Sequence, residues 1–339
     1  MFNFSQKIRS FKRNQAIKLL AEKDTDALMK NSRSAILKSL IYKIGSQFLI
    51  DNDFPLHLYL ELSRACNYNC PMCMRTKASG GGYFPESLAE KIVYEAAKKG
   101  ATSYSLHLFG EPLINPKWDK IVSMIRNAHV DNTVLLTTNG YFMDESCCRR
   151  LVKLKVNRIF ISMHSFDPDI YRKNTGGGAI SVVLDNIQTF IRVGGVDSKT
   201  KLFVRLFYGP NDPPIDEKQL SWLRKLGISL EIRGYHNFAG GKNEWSTFKS
   251  LNKRWPCFHP WFTLGITVHG EVSVCCADVS VNLLVGNVFN QSVEEIWKSK
   301  AVESIRLGHL KNNFKNWGTC AVCDTWQFHP DIFFNYQKS

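Results

Sequence analysis

Ten cysteines are the residues of this 339-residue chain whose type and spacing could do chemistry. Cys66, Cys70 and Cys73 form a C-x3-C-x2-C pattern on one short segment. Three thiolates can hold three irons of a [4Fe–4S] cluster and leave the fourth iron open to a substrate or cofactor. Zinc is the alternative, but it usually takes a fourth Cys or His, and this segment has none. The pattern therefore favours an iron–sulfur site with one open iron.

A second group of cysteines is spread over the last quarter of the chain. It contains Cys257, the adjacent pair Cys275 and Cys276, and Cys320 with Cys323. The gaps between them are long, so only the fold can bring these thiols together. The N-terminal segment lacks the apolar core of a secretion signal. We therefore expect reduced thiols and favour metal or redox chemistry over disulfides.

The elements that must position these residues form a repeating pattern after residue 55. Strands are predicted over residues 56–62, 103–109, 133–138, 158–163, 202–208 and 229–233. Helices are predicted near residues 86–98, 116–128, 180–193 and 218–225, and one helix capped by Asp144 contains Cys147 and Cys148. This order predicts a parallel α/β domain with functional loops at the carboxyl ends of its strands. The two cysteines of the Asp144 helix are predicted to be packing residues.

The pattern changes after about residue 245. Strand patterns at 262–268 and 271–275 flank His269-Gly270, which predicts a hairpin. A helix is predicted to begin with a capping box formed by Ser292 and Glu295. This loop-rich segment has little apolar mass, and small modules of this kind often depend on a metal for stability. We expect three units, at residues 1–55, 56–245 and 246–339.

The net charge of +14 is unevenly distributed. Residues 1–50 contain ten Lys or Arg and three Asp or Glu residues, so they carry half of it. Apolar residues recur there at helical spacing, which predicts a helical extension that packs on the main domain. The alternative is a basic amphipathic surface for anionic lipid or a carrier-linked substrate. No run of 18 apolar residues occurs, so no transmembrane helix is expected, and the 44% hydrophobic content excludes wholesale disorder.

The first cysteine motif, placed at the end of a first strand in a six-unit α/β chain, resembles that of the radical SAM enzymes. Three further motifs in order along the chain support this. Phe109-Gly110-Glu111-Pro112 resembles the G-G-E-P turn of that family, with Phe109 in place of the first glycine. Thr137-Thr138-Asn139-Gly140 matches its T-T-N-G strand end, and the segment 162–167 resembles its S-x-D-S-x-D segment, with His164 in place of Asp.

The resemblance implies a partial (β/α)6 TIM-type barrel in which a [4Fe–4S] cluster binds S-adenosylmethionine (SAM). In that family the cluster cleaves SAM reductively to a 5′-deoxyadenosyl radical. The residues implied to bind the cluster are Cys66, Cys70 and Cys73. The residues implied to contact SAM are Gly110, Glu111, Thr138, Asn139 and Ser162.

The C-terminal cysteines resemble the auxiliary-cluster modules called SPASM and twitch. The pattern is Cys257-x12-Gly270-x4-Cys275 followed by Cys320-x2-Cys323. The resemblance implies a small α+β module with a second [4Fe–4S] cluster, fully ligated by these four cysteines, as in the aminocyclitol dehydrogenases of butirosin biosynthesis. The related GTP-cyclising enzymes instead use an open auxiliary cluster. A structural zinc is the alternative in this module.

The expected function is oxidation, or another modification, of a sugar, an aminocyclitol or a nucleotide- or lipid-linked sugar. Hydrogen abstraction by the radical would be followed by electron transfer to the auxiliary cluster. Arg205 and Arg233 are candidate substrate contacts because a guanidinium forms a fixed fork for phosphate or carboxylate. The loop 235–237 is a further candidate. Cys276 is either a small buried neighbour of a ligand or a hydrogen-atom donor to a substrate radical.

Three alternatives remain open at the level of sequence. One is a peptide maturase that crosslinks or epimerises residues, and another is a redox-neutral epimerase or dehydratase that uses Cys276. The third is a zinc- or RNA-binding protein without catalytic activity. For the enzyme we expect a small-molecule or carrier-linked substrate, a flavodoxin- or ferredoxin-type electron donor and no nucleic acid. A cytoplasmic location is expected, with peripheral membrane contact through residues 1–50 as an addition.

Overall fold

The computed structural model of the chain describes residues 53–75, 81–100, 102–195, 198–209, 212, 215–241, 243–247 and 256–328. The N-terminal helical extension predicted from the sequence lies outside the described residues. Six parallel strands form the first part of the sheet, and each pairs with the next in the chain. They are β1 (His57–Leu60), β2 (Ser103–Ser105), β3 (Thr133–Thr138), β4 (Arg158–Met163), β5 (Lys201–Phe207) and β6 (Ser229–Arg233).

Helices alternate with these strands as predicted, with one addition. They are α1 (Glu86–Ala97), α2 (Trp118–Ala128), α3 (Glu145–Lys153), α4 (Pro168–Thr175), α5 (Ile180–Arg192) and α6 (Glu217–Lys225). The additional helix is α4, which begins because Asp167 accepts hydrogen bonds from the N–H groups of Asp169 and Ile170. Asp144 caps α3 as predicted, by accepting from the N–H of Cys147.

The C-terminal part adds three strands to the same sheet. These are β7 (Thr263–Ile266), β8 (Glu271–Ser273) and β9 (Leu284–Asn287). β7 and β8 form the predicted antiparallel hairpin, and β7 also pairs in parallel with β1. The order of the nine strands is β6-β5-β4-β3-β2-β1-β7-β8-β9. The fold is therefore a mixed α/β partial barrel whose sheet stays open between β6 and β9.

Short helices complete the C-terminal part. They are α7 (His259–Phe262), α8 (Val293–Trp297), α9 (Lys300–Leu310) and α10 (Gly318–Val322). Among the described residues, 3-10 helices are found at Pro112–Ile114, Asn243–Trp245 and Thr325–Phe328. The predicted capping box of Ser292 and Glu295 starts α8. None of the helices in the described part of the chain is both long and apolar enough to cross a bilayer.

The strands divide their side chains between an apolar core and the interior of the barrel. Leu58, Leu60 and Leu62 belong to the core that β1 shares with the helices. Because successive side chains of a strand point to opposite faces, His57 and Tyr59 face the interior instead. The same alternation on β2 and its extension puts Tyr104 and Leu106 in the core and His107 on the interior side. The barrel interior, called the lumen below, therefore carries polar side chains.

A buried ion pair joins the first strand to the C-terminal hairpin. Glu61 is fully buried and accepts hydrogen bonds from Nε and Nη2 of Arg64. Its Oε2 also accepts from the N–H of Val268, at the end of β7. One carboxylate thus connects the end of β1, the approach to the cysteine loop and the turn of the hairpin.

Candidate active site

The loop of residues 66–73 follows β1 at the carboxyl end of the sheet and is held on two sides. A side chain at Gly110 would place its Cβ 2.0 Å from the carbonyl oxygen of Ser63, so only glycine allows this approach. On the other side, the N–H of Asn69 donates to the carbonyl of Thr175. Gly176 follows with φ +69° and contacts Asn69 closely. The three cysteines of this loop are partly exposed.

Backbone amides point at the sulfur atoms of the predicted ligands. An N–H two residues further along donates to the Sγ of four of the seven, at 3.3–3.5 Å, namely Cys66, Cys73, Cys275 and Cys323. Such N–H donors stabilise a thiolate and tune an iron–sulfur cluster. Cys70 donates its S–H to the carbonyl of Thr175, and Cys148 donates to the carbonyl of Met143, but Cys148 lies fully within the core. The donor set of the two groups therefore fits iron–sulfur clusters.

Glu111 ties the turn after β2 to the end of β3. Its carboxylate accepts from Thr138 Oγ1 at 2.6 Å, from the N–H of Asn139 at 2.7 Å and from the N–H of Leu113. Burial raises the pKa of Glu111 to about 7, although these hydrogen bonds act to lower it. Asn139 in turn approaches Cys66 Sγ through its side-chain amide, at 3.9 Å. The structure thus brings the predicted SAM contacts of β2 and β3 to the cysteine loop.

Ser162 lies on the neighbouring strand β4. Thr138 pairs with Ile161 across β3 and β4, so Ser162 lies one residue beyond the end of β3. Ser162 itself pairs with Arg205 of β5. His164, two residues further along, stacks on Phe207 and is 3.2 Å from the hydroxyl of Tyr235 through Nδ1.

Four of the C-terminal cysteines line one cavity. They are Cys257, Cys275, Cys320 and Cys323, the same four that the sequence pattern singles out. Cys257 and Cys323 are 66 positions apart in the sequence, and α7, the β7–β8 hairpin and α10 bring the four cysteines together. His259 and His309 also line the cavity. His309 Nδ1 accepts from the N–H of Cys257 at 3.2 Å.

No three Cys, His, Asp or Glu side chains of the described residues converge closely enough to chelate a single metal ion. A [4Fe–4S] cluster does not require the thiolates to converge on one point, because each thiolate binds a separate iron.

Cys276 does not line the cavity of the four cysteines. It is partly buried and its side chain is hydrogen-bonded to that of Tyr59, on the lumen side of β1. Its Sγ is also 3.6 Å from Nε2 of His259. Cys276 therefore lies between the cavity and the lumen.

Arg205 and Arg233 share one carboxylate. Glu231 Oε2 is 3.0 Å from Nε of Arg205 and 3.3 Å from Nε of Arg233. Burial alone would raise the pKa of Glu231, but the charge of Arg205 and then of Arg233 lowers it. The Arg205 guanidinium also lies over the ring of Phe160, at 4.2 Å from its centroid.

Comparison with known protein families decides what this arrangement is. Residues 60–218 match the family model of the radical SAM superfamily, and residues 257–324 match that of SPASM, an iron-sulfur cluster-binding domain. Together the two matches span more than half of the chain.

The chain is a radical SAM enzyme. Its cofactors are [4Fe–4S] clusters and SAM.

Solved structures of radical SAM enzymes share its fold. The complex of BtrN with AdoMet and 2-DOIA has a TM-score of 0.55 and 18% identity, and the match covers 79% of this chain and 92% of that chain. Streptococcus suis SuiB bound to precursor peptide SuiA has a TM-score of 0.56 and 16% identity, covering 81% and 73%. Native anSMEcpe with bound AdoMet has a TM-score of 0.53 and 17% identity, covering 79% and 89%.

Curated sequence relatives of this radical SAM enzyme are GTP 3′,8-cyclases. The one from Lactiplantibacillus plantarum is 31% identical over 175 residues, which are 49% of this chain and 51% of that protein. A probable GTP 3′,8-cyclase from Thermococcus kodakarensis is 28% identical over 179 residues, covering 52% and 55%. The chain thus spans about half the length of these relatives.

Asn237, one of the candidate substrate contacts of this radical SAM enzyme, forms hydrogen bonds within the protein. Asn237 is buried, and its N–H donates to both carboxylate oxygens of Asp324 at 2.9 Å. Its side chain donates to the carbonyl of Val322 and accepts from the N–H of Asp324. Asn237 therefore fastens the end of the barrel to the segment that carries Cys320 and Cys323.

Sequence reasoning missed four residues of the site. Tyr59 and His107 could have been found, because they occupy the polar positions of strands whose apolar alternation was recognised. His259 and His309 had no such signal, since one lies in α7 and the other in α9, and only the fold brings these two helices to the cavity. Both are buried, and burial lowers the pKa of His259 to about 3.

Proposed function

We propose that this radical SAM enzyme oxidises a hydroxyl group of a sugar, an aminocyclitol or a nucleotide- or lipid-linked sugar. Cys66, Cys70 and Cys73 would hold the cluster that binds SAM, with Gly110, Glu111, Thr138, Asn139 and Ser162 around the SAM molecule. Cys257, Cys275, Cys320 and Cys323 would hold the auxiliary cluster. When bound, the first group supplies a 5′-deoxyadenosyl radical and the second supplies an electron acceptor.

The observation that carries this proposal is the cavity lined by four cysteines. Four thiolates satisfy the four irons of a [4Fe–4S] cluster, so no iron is left for a substrate. A cluster ligated in this way suits electron transfer rather than substrate binding. Removal of a hydrogen atom, a proton and an electron from a secondary alcohol gives a ketone. The electron needs an acceptor of this kind.

The chain's own residues supply orientation and binding. The ionised carboxylate of Glu111 would attract the ammonium group of SAM. Arg205 and Arg233 would face the substrate from β5 and β6, next to Ser162. Cys276 interacts with Tyr59 of β1 and lies 3.6 Å from Nε2 of His259, which lines the cavity of the auxiliary site.

Two alternatives each rest on an observation. A peptide maturase is supported by the fold shared with SuiB, which was solved with precursor peptide SuiA. A redox-neutral epimerase is supported by Cys276, whose thiol lies beside Tyr59 at the edge of the lumen. In that case the thiol would return a hydrogen atom to the substrate radical.

The partners and the location of the enzyme follow from the same proposal. The chemistry needs a low-potential one-electron donor of the flavodoxin or ferredoxin type. The basic residues of segment 1–50 would suit contact with an anionic membrane surface in the cytoplasm or with a carrier-linked substrate.

Deuterium transfer separates the proposal from the peptide alternative. The reconstituted enzyme is incubated under anaerobic conditions with SAM, reductant and deuterated candidate substrates, and 5′-deoxyadenosine is analysed by mass spectrometry. Deuterium from a sugar or aminocyclitol together with formation of a ketone supports oxidation. Deuterium that comes from a peptide alone would rule the proposal out, and return of solvent hydrogen to carbon without a ketone would favour the epimerase.

A further inference from the structure

Three polar side chains in the lumen lack hydrogen-bond partners for some of their donors or acceptors among the described residues. His107 Nδ1 and Thr137 Oγ1 are buried and have no hydrogen-bond partner among the described residues. Arg205 donates through Nε to Glu231, and its two Nη groups have no acceptor within the described part of the chain. Buried polar groups are normally satisfied, so a set of this kind implies water or a ligand between them.

The three groups lie on neighbouring elements of the barrel wall. The ladder between β2 and β3 ends at the pair Ser105 and Leu135, and His107 and Thr137 each follow that pair by two residues, while the charge of Arg205 acts on His107. Thr137 pairs with Phe160 of β4, and the Arg205 guanidinium lies over the Phe160 ring. The His107 ring meets Tyr59 edge to face, with centroids 5.6 Å apart.

Their chemistry is complementary. Arg205 presents two Nη groups on a nearly buried guanidinium, with 16% of its side chain exposed, and such a fork matches carboxylate or phosphate oxygens. His107 is neutral, because burial and then the charges of Arg205 and His57 lower its pKa to about 3. A neutral imidazole offers an acceptor nitrogen to a hydroxyl group.

We propose that His107, Thr137 and Arg205 form a subsite for a hydroxylated anion, in which Arg205 binds a carboxylate or phosphate group and His107 accepts the proton of the reacting hydroxyl. This inference rests on the proposed function and narrows its substrate class to sugar acids and sugar phosphates. Burial is the first cause that lowers the His107 pKa, and the charge of Arg205 is the second. An anion bound to Arg205 would offset this second cause.

The step balances with the chemistry already proposed. The hydrogen atom on the hydroxyl-bearing carbon goes to the 5′-deoxyadenosyl radical, which becomes 5′-deoxyadenosine. The O–H bond of the resulting carbon radical then breaks, its proton passes to His107, and the remaining electron passes to the oxidised auxiliary [4Fe–4S] cluster. The C–O single bond becomes a C=O double bond.

Anion binding tests the subsite without turnover. Inorganic phosphate and acetate are titrated calorimetrically into the reconstituted full-length enzyme at constant ionic strength, with and without saturating SAM, and the two probes separate a phosphate from a carboxylate preference. Loss of a charged hydrogen-bonding fork should weaken binding by about tenfold or more in Arg205→Gln. The control is Arg149→Gln, which removes an exposed guanidinium paired with Glu145 and should bind as the wild type does.

The outcomes of that titration are decisive in either direction. Should Arg205→Gln fail to fold because Glu231 is left without that partner, the double variant Arg205→Gln with Glu231→Gln is measured instead. Equal affinity in the wild type and in the folded Arg205 variant would overturn the subsite, and so would competition between SAM and the anion. Either of these two results would overturn the subsite alone. The proposed function is tested separately, by SAM cleavage and by label transfer.

His107 has its own readout, the number of 5′-deoxyadenosine molecules formed per ketone. With a substrate identified by deuterium transfer, His107→Gln should keep abstracting hydrogen but lose ketone formation, so this ratio should rise several-fold above the wild-type value. His107→Asn provides a second variant of different size. A merely structural role would lower both products together, and an unchanged ratio in both variants would contradict the assignment of His107 as the base.

Discussion

Glu111 is the residue in which burial and function oppose each other most directly. It is almost fully buried, so its charged form is disfavoured, and yet three donors point at its carboxylate. In the SAM-free protein the folded state holds a proton on Glu111 that the unfolded chain loses above pH 4.5. The contribution of Glu111 to the free energy of unfolding therefore falls as the pH rises from about 4.5 to about 7. The positive charge of a bound ammonium group would instead favour the ionised form of Glu111.

The affinity for SAM should consequently depend on pH. Below the Glu111 pKa of about 7 the carboxyl is protonated and no longer attracts an ammonium group. We expect SAM to bind more tightly at pH 8 than at pH 6, with a slope approaching about tenfold per pH unit below the pKa. Equilibrium dialysis under anaerobic conditions measures this.

The Glu111→Gln variant provides the control for that measurement. It keeps the shape of the side chain and removes its charge, so its SAM affinity should be weaker at pH 8 and nearly independent of pH. The same pH dependence in the variant and in the wild type would show that Glu111 is not the titrating group.

Single residues of the site were predictable to the extent that local sequence encodes them. The three cysteines of the first loop and the Gly110-Glu111 turn stand out by type and spacing. Arg205 and Arg233 were predicted as substrate contacts, but their shared partner Glu231 was not, because a cross-strand ion pair depends on register. His107 was missed although it occupies a polar position of the predicted strand 103–109, because the apolar alternation was used to find the strand and its polar face was not examined.

Among the strands, bounds that depend on local sequence were predicted, whereas a pairing between distant segments was not. The bounds of β3, β4 and β6 match their predicted ranges, because each is a short β-branched or apolar run between turn residues. The strand β2 is shorter than predicted and ends at Ser105. The parallel pairing of β7 with β1 was not predicted, since it joins segments about 200 residues apart.

That pairing gives the Glu61–Arg64 ion pair a structural role. Replacing Glu61 by Gln leaves the Arg64 guanidinium buried without its carboxylate. Breaking a buried pair costs about 3–5 kcal/mol, so we expect Glu61→Gln to lower the free energy of unfolding by about that amount. Urea denaturation followed by circular dichroism measures it.

The matched control is Glu145→Gln in α3, because Glu145 forms an exposed i,i+4 pair with Arg149. An exposed helix pair contributes about 0.3–0.5 kcal/mol, so this variant should be nearly as stable as the wild type. Equal losses in the two variants would mean that the Glu61 pair does not hold the hairpin to the barrel.

At the scale of the whole molecule, one continuous sheet carries two thiol sites. The first follows β1, and the second surrounds the hairpin that pairs with β1 on its other side. Asn237 and Asp324 tie the last loop of the barrel to the same C-terminal segment. The lumen between the two sites contains Tyr59, His107 and Arg205. This arrangement would let a substrate lie between SAM and an electron acceptor.

The sequence indicated both thiol sites but not what separates them. The second cysteine group was recognisable from the Cys257 to Cys275 spacing and the Cys320-x2-Cys323 pair. Its closure into one cavity depends on α7, α10 and the hairpin, which are distant in sequence. The polar lining of the lumen likewise arises from residues of several strands, such as Tyr59 of β1, Thr137 of β3 and Arg205 of β5.

Iron analysis combined with SAM cleavage tests the central claim, that one chain holds two clusters with separate tasks. Anaerobically reconstituted wild type should contain about eight irons and form 5′-deoxyadenosine from SAM and reductant. Replacing Cys66, Cys70 and Cys73 by Ala should leave about four irons and abolish cleavage. Replacing Cys320 and Cys323 by Ala should lower the iron content but retain cleavage, and Cys148→Ala is the control that should change neither. Zinc instead of iron in the wild type, or cleavage that persists without the first three cysteines, would contradict the account.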